Sequence, residues 1–291
     1  MSNHEHRHPM TRDTTQDSAR LGDAIGTIDH LVIAVADLAQ SADIYRRLGF
    51  TLSPKGIHSA ALGTANHTIM LREDYFELLA VVAPTERNTH WRHVIEQGGG
   101  LAGMAMTTRE PHAARDHWLA AGLAPEAPIK FSRTVARPDG STLEARFEVV
   151  SLDDITGTGL RLFVCSQPTR EAVWLPELLE HANTALAIRR LVLACPDAEY
   201  SAAQWQRVLP AARLLPTALG ITLDTGRHTI TLVQQNVDKV RALGIDYAVA
   251  DLAACSAALV AGAIPYRDEG ARLSIRPEFA CNVAIGFEAA A

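Results

Sequence analysis

Short apolar runs alternate along the chain with helical patterns of about three turns. The first run, residues 28–35, predicts a buried strand, and the helical pattern after it stops at Gly49, where glycine ends the periodicity. Strand-like runs follow each helix, as at residues 68–71 and 76–82 after the first one. Helices are predicted to begin near four residues: Asp37, Glu110, Ala198 and Asp251. The pattern therefore predicts four units, each with one strand, a helix and two or three further strands.

An internal repeat supports this organisation. The hexapeptide Ala-Val-Ala-Asp-Leu-Ala at residues 34–39 recurs unchanged at 248–253, and each copy joins a strand-like run to a helical run. The pattern His-Thr-Ile-x-Leu at residues 67–71 recurs at 228–232. Because units of roughly 50 to 70 residues cannot bury a sheet face alone, we expect them to pair. The prediction is an α+β fold of four βαβββ modules in two pairs.

The same pattern divides the chain into segments. Residues 1–26 are polar and contain a histidine-rich stretch, which predicts a disordered N-terminal tail. Residues 27–167 hold the first pair of modules together with the candidate site. Residues 168–184 predict a linker, and residues 185–291 hold the second pair.

Composition and charge exclude several classes of partner. With 47% hydrophobic residues, 21% charged residues and a net charge of -6, the chain is typical of a soluble globular protein and has no basic surplus for nucleic acid. No signal-peptide core or membrane-length apolar run is present, so a cytoplasmic protein without a membrane partner is expected. The four cysteines lack metal-binding spacing and predict reduced, buried thiols.

His30 and Glu77 carry candidate chemistry because each is a polar residue inside an apolar strand. Alternation along the first strand places Leu31 and Ile33 on the helix-packed face and His30 on the other, where it could bind a metal or a ligand. A hydrogen-bonded core histidine is the alternative. A lone carboxylate among apolar neighbours is costly, so Glu77 should be neutralised by a metal, an arginine or protonation, unless it faces water at an edge.

Three sequence segments, at residues 28–32, 63–67 and 76–79, resemble the glyoxalase-like branch of the vicinal oxygen chelate superfamily. That superfamily includes glyoxalase I, extradiol dioxygenases and bleomycin-resistance proteins. The resemblance implies that two modules curl their sheet into a cup with a divalent metal at the bottom, and that each module gives one ligand from its first strand and one from its last. Two cup-shaped glyoxalase-like domains are therefore expected. The likeness is good over residues 28–167 and weaker beyond.

The resemblance implies that His30 and Glu77 are metal ligands and that Glu77 is catalytic. Alignment of the helix ends puts Gly103 at the histidine position of the second module and Leu162 or Phe163 at its glutamate position. The third and fourth modules offer two residues at the histidine position: Arg190 and Gly244. Only the first module keeps the ligand pair, so the second pair of modules is degenerate.

Further site residues are needed if a metal binds. Gln167 stands where the family segment has a histidine, which makes it the candidate third metal ligand, with His58 and His67 as alternatives. The candidate substrate-binding residues are His58, His67 and Arg133. His67 contacts a ligand or belongs to the architecture, since its pattern recurs; Arg133 clamps a carboxylate or carbonyl group or forms a strand-edge ion pair. Gly63 and Asn66 are expected to shape a turn.

Two functions follow from the resemblance. The first is a metal-assisted lyase, isomerase or dioxygenase that acts on a small vicinal-oxygen substrate with zinc, manganese, iron or nickel. The second is a non-catalytic protein that binds a small molecule, of the resistance or sequestration type, with a degenerate metal site. A homodimer is expected as a possible assembly, and a metal-free scaffold that dimerises is the third alternative.

Overall fold

The computed structural model describes residues 24–136 and 141–290, and the structural statements below concern those residues. Residues 1–23, most of the predicted N-terminal tail, lie outside them. Two eight-stranded sheets are present, one from each half of the chain. The strands of the first are β1 (Ile28–Ala34), β2 (Gly56–Ile57), β3 (Thr64–Met70), β4 (Tyr75–Val81), β5 (Gly100–Thr107), β6 (Ile129–Ala136), β7 (Thr142–Leu152) and β8 (Arg161–Ser166). The strands of the second are β9 (Ala185–Cys195), β10 (Arg213–Thr217), β11 (Gly220–Asp224), β12 (Thr229–Gln234), β13 (Arg241–Val249), β14 (Arg267–Asp268), β15 (Arg272–Ile275) and β16 (Ala284–Ala289).

Each sheet consists of two modules whose first strands lie side by side. The strand order is β2-β3-β4-β1-β5-β8-β7-β6 in the first sheet and β10-β11-β12-β9-β13-β16-β15-β14 in the second. The first strands of paired modules run antiparallel, whereas the first and last strands of one module run parallel. The predicted α+β fold of paired βαβββ modules, with each sheet curved into a cup, is confirmed.

One helix lies in each module, and a further helix connects the first two modules. The helices are α1 (Leu38–Arg47), the connecting α2 (Thr89–Glu96), α3 (Pro111–Ala120), α4 (Ala198–Val208) and α5 (Leu252–Ala261). Asp37, Asp197 and Asp251 each accept a backbone N–H of the first helical turn, which is why α1, α4 and α5 begin where they do. The connecting helix α2 was not predicted. None of the helices in the described ranges combines the length and apolar character needed to cross a membrane.

The helix-covered faces of the two sheets share one apolar core. Phe50, just after α1, contacts rings from both halves: its centroid lies 5.2 Å from Phe76 of the first sheet and 5.4 Å from Tyr247 of the second. Phe287 of β16 lies 5.9 Å from the same ring, and all four rings are buried. Since this core takes one face of each sheet, the other faces are left to form the two cups.

Residues 168–184, the predicted linker, pack against the first sheet. They contain two 3-10 helices, Arg170–Ala172 and Pro176–Leu178. The Trp174 indole N–H donates to the Leu71 carbonyl oxygen at 3.0 Å, and its ring meets the Tyr75 ring edge to face at 5.4 Å. The segment therefore belongs to the folded body and covers part of the first cup.

A polar cluster, fully buried at Asp74 and His228, joins the two halves. Asp74 accepts the backbone N–H of Ile188 at 2.9 Å, and its other oxygen lies 2.9 Å from Nε2 of His228. On the far side of the imidazole, Nδ1 lies 2.6 Å from the Thr27 hydroxyl, which lies 2.6 Å from the Thr225 hydroxyl. Thr225 donates its proton to the His228 carbonyl, so Thr27 donates to Thr225, and both imidazole nitrogens of His228 act as donors. Asp74 and His228 thus form a buried ion pair.

The pairing of strands corrects one feature of the predicted repeat. The His-Thr-Ile pattern at residues 67–71 runs along β3 and beyond it, whereas its copy at 228–232 runs into β12. β12 pairs with β9 as β4 pairs with β1, so His228 corresponds in register to Asp74, not to His67. Asp74 and His228 therefore hold equivalent places in the two halves and meet each other between them.

Removal of one member of the buried ion pair should destabilise the protein strongly. We expect Asp74→Ala to lower the free energy of unfolding by about 3 kcal/mol, because an unpaired charge would be left in the interior. The matched control is Glu73→Ala, which removes the neighbouring exposed ion pair with Arg227 and should cost less than about 1 kcal/mol. Urea unfolding measures both. Equal small losses would contradict the role of the pair.

Acidification should destabilise the protein through His181. Its Nδ1 accepts the Thr51 N–H at 2.9 Å and its Nε2 donates to the Met70 carbonyl at 2.8 Å. Burial lowers the pKa of His181, although the bond to Met70 opposes the shift. The unfolded chain therefore binds more protons than the native state once the pH falls below about 6.5, and the unfolding free energy falls with it.

Urea midpoints measured from about pH 7.5 to about pH 5.5 should decrease in the wild type and decrease less steeply in His181→Gln. Some slope should remain in the variant, because burial also lowers the pKa of His58 and of His90. An identical slope in the two proteins would show that His181 does not contribute.

Candidate functional site

The first cup encloses a cavity of about 660 Å³. A cavity of this size can enclose a small organic molecule. Its polar lining includes His30, His58, Asn66, Glu77, Arg133 and Arg161. Its aromatic lining consists of Tyr75, Trp91, Phe131, Phe147 and Phe163. The combination of apolar walls and a few polar groups is typical of ligand-binding sites.

His30 is held in place by the residue before it in the chain. The strand register shifts between Ile28 and His30, so Asp29 is the extra residue of a β-bulge. Its Oδ1 lies 2.7 Å from His30 Nδ1 and also accepts the Gln167 side-chain amide at 2.7 Å. Because a carboxylate oxygen accepts, Nδ1 carries the proton and Nε2 is the nitrogen left for the cavity.

Glu77 is buried in the same cavity and has one amide partner. The side chain of Asn66, on the neighbouring strand β3, donates to Glu77 Oε2. Thr68 lies directly opposite Glu77 in the antiparallel register and also lines the cavity. Asn66 was expected in a turn, but it lies within β3 and holds the carboxylate. Gly63 does turn the chain, with a φ of 61°.

Aromatic rings surround the imidazole. Tyr75 stacks on His30 with centroids 4.3 Å apart, and Phe163 meets it edge to face at 5.3 Å. Burial raises the pKa of Tyr75 well above its usual range, and it does the same to the pKa of the Cys165 thiol. Both groups therefore stay protonated near neutral pH.

His58 and Arg133 line the cavity where the two edges of the first sheet approach each other. His58 Nδ1 lies 2.7 Å from the Thr64 hydroxyl, and burial lowers its pKa while Glu77 raises it and Arg133 lowers it. Arg133 Nη1 lies 3.5 Å from the point that a Cβ on Gly56 would take. Within the described residues the Arg133 guanidinium forms no hydrogen bond or ion pair, so its donors are free for a ligand.

The other two predicted site residues lie outside the cavity. His67 points to the helix-packed side of β3, between the core residues Ala65 and Ile69, and its Nδ1 lies 2.7 Å from the Ser53 carbonyl. Gln167 is occupied by Asp29, and its own side-chain oxygen is buried without a partner. The structure brings His30, Glu77, His58 and Arg133 together in the cavity lining. His67 lies on the other face of β3, and Gln167 adjoins the site as a donor to the Asp29 oxygen that also holds His30.

The strand register identifies the positions that correspond across the two modules of the first cup. His30 pairs with Tyr75 between the first and last strands of module one, and Gly103 pairs with Arg161 between those of module two. Gly103 thus corresponds to His30, as the aligned helix ends predict. Phe163, two residues after Arg161, corresponds to the glutamate position.

The residues present do not fit a resident divalent metal. Of the four corresponding positions, only His30 and Glu77 carry donor side chains, and the other two are Gly103 and Phe163. A Cβ on Gly103 would lie 2.9 Å from Cη2 of Trp91, so an indole ring covers that position. No group of three or more histidine, cysteine, aspartate or glutamate side chains in the described part of the chain is arranged to hold a metal ion. Two protein ligands are too few for the metals considered.

Charged side chains fill the corresponding region of the second cup. Arg190, at the histidine position, donates to Asp246 at 2.8 Å, and Arg272 donates to the other oxygen of Asp246 at 2.7 Å. Arg190 also pairs with Glu288. A Cβ on Gly286, at the glutamate position, would lie 2.0 Å from Asp246 Oδ1, so the glycine leaves room for the ion pairs. Charge pairs thus occupy this region of the second cup.

Asp29 and Trp91 are the main site residues that sequence reasoning missed. Strict alternation assigns Asp29 to the face opposite His30, and only the β-bulge brings the two together. Trp91 lies on α2, where apolar residues at 91, 94 and 95 follow helical spacing, so that signal was present in the sequence.

Comparisons with known proteins agree with this fold. A family model described as "Glyoxalase-like domain" matches residues 28–209. Curated proteins give no significant match.

Solved structures similar to the chain share its architecture at low sequence identity. A hypothetical protein from Staphylococcus aureus has a TM-score of 0.67 and 12% identity, over 91% of this chain and 99% of that one. A mutant of 4-hydroxymandelate synthase from Streptomyces coelicolor has a TM-score of 0.62 and 12% identity, over 92% and 94%. A fusion of a xylose isomerase-like TIM barrel with a 4-hydroxyphenylpyruvate dioxygenase has a TM-score of 0.55 and 14% identity, over 92% and 50%. At these identities the likeness concerns the fold alone.

Removal of the amide that holds Glu77 should be costly. We expect Asn66→Ala to lower the free energy of unfolding by about 2 kcal/mol, because the buried carboxylate loses its donor. Urea unfolding measures the loss, and Glu77→Gln introduced into the same variant should recover part of it. Thr68→Ala is the matched control, since Thr68 lines the same strand face, and should cost less than about 1 kcal/mol. No recovery in the double variant would argue against the pairing.

Proposed function

The chain belongs to the glyoxalase-like domain family, and from that membership we propose that its first cup binds a small oxygen-bearing organic molecule and transfers a proton on it. The observation that carries the proposal is the Asp29–His30 pair in the wall of the cavity, with Nδ1 of His30 2.7 Å from Asp29. A histidine oriented by a carboxylate, with its other nitrogen free, is suited to general acid–base chemistry.

Each polar group of the cup has a role in this proposal. His30 Nε2 takes a proton from carbon or oxygen of the ligand, and Asp29 stabilises the imidazolium that forms. Arg133 binds the oxygen on which negative charge develops, because its guanidinium has no hydrogen bond or ion pair with any other described residue. Glu77 Oε1 has no partner in the described residues and accepts a hydroxyl of the ligand. His58 contributes a neutral ring at the rim.

The proposal does not include the zinc, manganese, iron or nickel ion that the resemblance implies. His30 and Glu77 alone do not complete a coordination sphere, and Gln167, the expected third ligand, is bonded to Asp29. Stabilisation of the anion is assigned to Arg133 instead. The family resemblance thus supports the place of the site, and the side chains support a different way of handling charge there.

A second candidate function is non-catalytic binding, of the resistance or sequestration type. It is favoured by the aromatic rings at the two positions of the second module that lack metal ligands: Trp91 covers Gly103, and Phe163 stands at the glutamate position. Both rings give the cup apolar surface for holding a ligand. In that case the ligand leaves the cup chemically unchanged. The two functions differ in whether a proton is exchanged.

Proton transfer can be followed by deuterium incorporation. Metal-stripped protein in D2O, incubated with small 1,2-dicarbonyl and α-hydroxycarbonyl compounds, should exchange the acidic C–H of at least one of them, as seen by proton NMR. His30→Gln should slow this exchange by about 100-fold or more, because the proton acceptor is lost. His67→Gln is the matched control: it is a histidine of the same sheet outside the cavity and should leave the rate unchanged.

The outcomes separate the readings. Exchange that persists in His30→Gln, or that depends on an added metal ion, contradicts the metal-independent proposal. Saturable binding with no exchange in any compound supports the non-catalytic function instead.

A further inference from the structure

Two aromatic rings occupy the half of the first cup that lacks metal ligands. Phe163 stands at the position corresponding to Glu77, and the Trp91 indole covers Gly103, which corresponds to His30. Both rings line the cavity, and neither belongs to the fully buried core. Each therefore keeps apolar surface directed at the cavity.

The glycine and the tryptophan depend on each other. With the Trp91 ring carbons 2.9 and 3.2 Å from the position of a Gly103 Cβ, any side chain on Gly103 would displace the indole. Gly103 is not among the glycines with a positive φ, so its backbone conformation does not require glycine. The close approach of the ring explains the glycine instead.

We infer that Phe163, Trp91 and Gly103 form a subsite for a planar ring of the ligand, in the space that a second pair of metal ligands would take. Exposed aromatic surface in a concave site gains free energy when another ring covers it, and ring pairs gain more from edge-to-face or offset geometry. Phe163 already makes an edge-to-face contact with His30 at 5.3 Å, so a ring bound beside it would lie next to the imidazole.

The positive charge of Arg133 narrows the class of ligand further. Arg133 lines the same cavity without an ion pair or hydrogen bond in the described residues, so an anionic oxygen on the ring would find a partner. The ligand class is therefore a small aromatic molecule that carries a carboxylate or a similar anionic oxygen. This inference rests on the proposed function only in placing the ligand in the first cup, and it requires no chemical step.

Calorimetric titration with two matched probes tests the subsite. Benzoate and cyclohexanecarboxylate carry the same charge and nearly the same size, but only benzoate is planar and aromatic. Benzoate should bind the wild-type chain about tenfold more tightly, and Phe163→Leu should remove most of that preference. Phe279→Leu, a ring of the second half that does not line the cavity, is the matched control and should leave the preference intact.

Equal affinity for the two probes, a preference unchanged in Phe163→Leu, or no binding of either probe would overturn the subsite. The deuterium exchange of other carbonyl compounds would remain informative in each of these cases, so failure of the subsite is distinguishable from failure of the proposed function. If no compound exchanges deuterium but the preference for benzoate remains, the proposed proton transfer is contradicted and the subsite is not.

A gain-of-function variant tests the positions themselves. In the full chain with His4, His6 and His8 replaced by alanine, Gly103→His and Phe163→Glu, with Trp91→Ala to clear space, should create a four-ligand site that binds one equivalent of Co2+ with visible ligand-field absorption. The same background without these changes should bind none. One equivalent of cobalt bound by that background and lost on His30→Ala would show a native metal site, and would overturn the assignment of this space to a ring. A folded variant that binds no cobalt would show that Gly103 and Phe163 do not hold the ligand positions of the second module, and would overturn it as well.

Discussion

Burial of the helix-covered sheet faces against each other is the constraint on which the rest of the structure depends. A single curved sheet with helices on one side leaves much apolar surface uncovered, and here Phe50 closes that surface by contacting rings of both sheets. The core fixes the orientation of everything else, because each strand that gives one face to the core must give its alternate residues to a cup. The buried Asp74–His228 pair fixes the register in which the two halves pack, because the carboxylate and the imidazole must meet at hydrogen-bonding distance.

The two cups solve the problem of polar groups in different ways. In the second cup, arginine and acidic side chains from facing strands neutralise each other, and Gly286 makes room for them. In the first cup, Arg161 pairs with Glu126, but the groups of the candidate site are oriented without being neutralised in this way: Asp29 holds His30, Asn66 holds Glu77, and Arg133 has no direct partner within the described residues. A ligand-binding site needs an open cavity and hydrogen-bonding groups that the protein does not already satisfy, so the first cup is suited to bind a ligand.

The fold was accessible from sequence because its signals are local and repeated. Strand alternation, three-turn helices and aspartate caps each act over a few residues. Alternation assigned His30 to the face away from the helices, and the resemblance alone suggested the place of Glu77; both residues line the cavity of the first cup. The site was less accessible because it depends on register between distant strands. Alternation assigns Asp29 to the face opposite His30, and a β-bulge places it beside His30 instead. The similar patterns that begin at His67 and His228 fall on strands that do not correspond in the two halves. Likewise, only the pairing of β5 with β8 decides between Leu162 and Phe163.

The polar groups of the first cup limit where a ligand can carry its charge. Glu77 receives one amide hydrogen bond from Asn66, and within the described residues the Arg133 guanidinium has no hydrogen bond or ion pair. An anionic oxygen of a ligand would gain a charge-assisted hydrogen bond at Arg133, whereas the same oxygen beside Glu77 would face a carboxylate. A hydroxyl or another hydrogen-bond donor suits the Glu77 side of the cavity instead. The side chains of the first cup therefore distinguish ligands by the relative positions of their donors and their anionic oxygens.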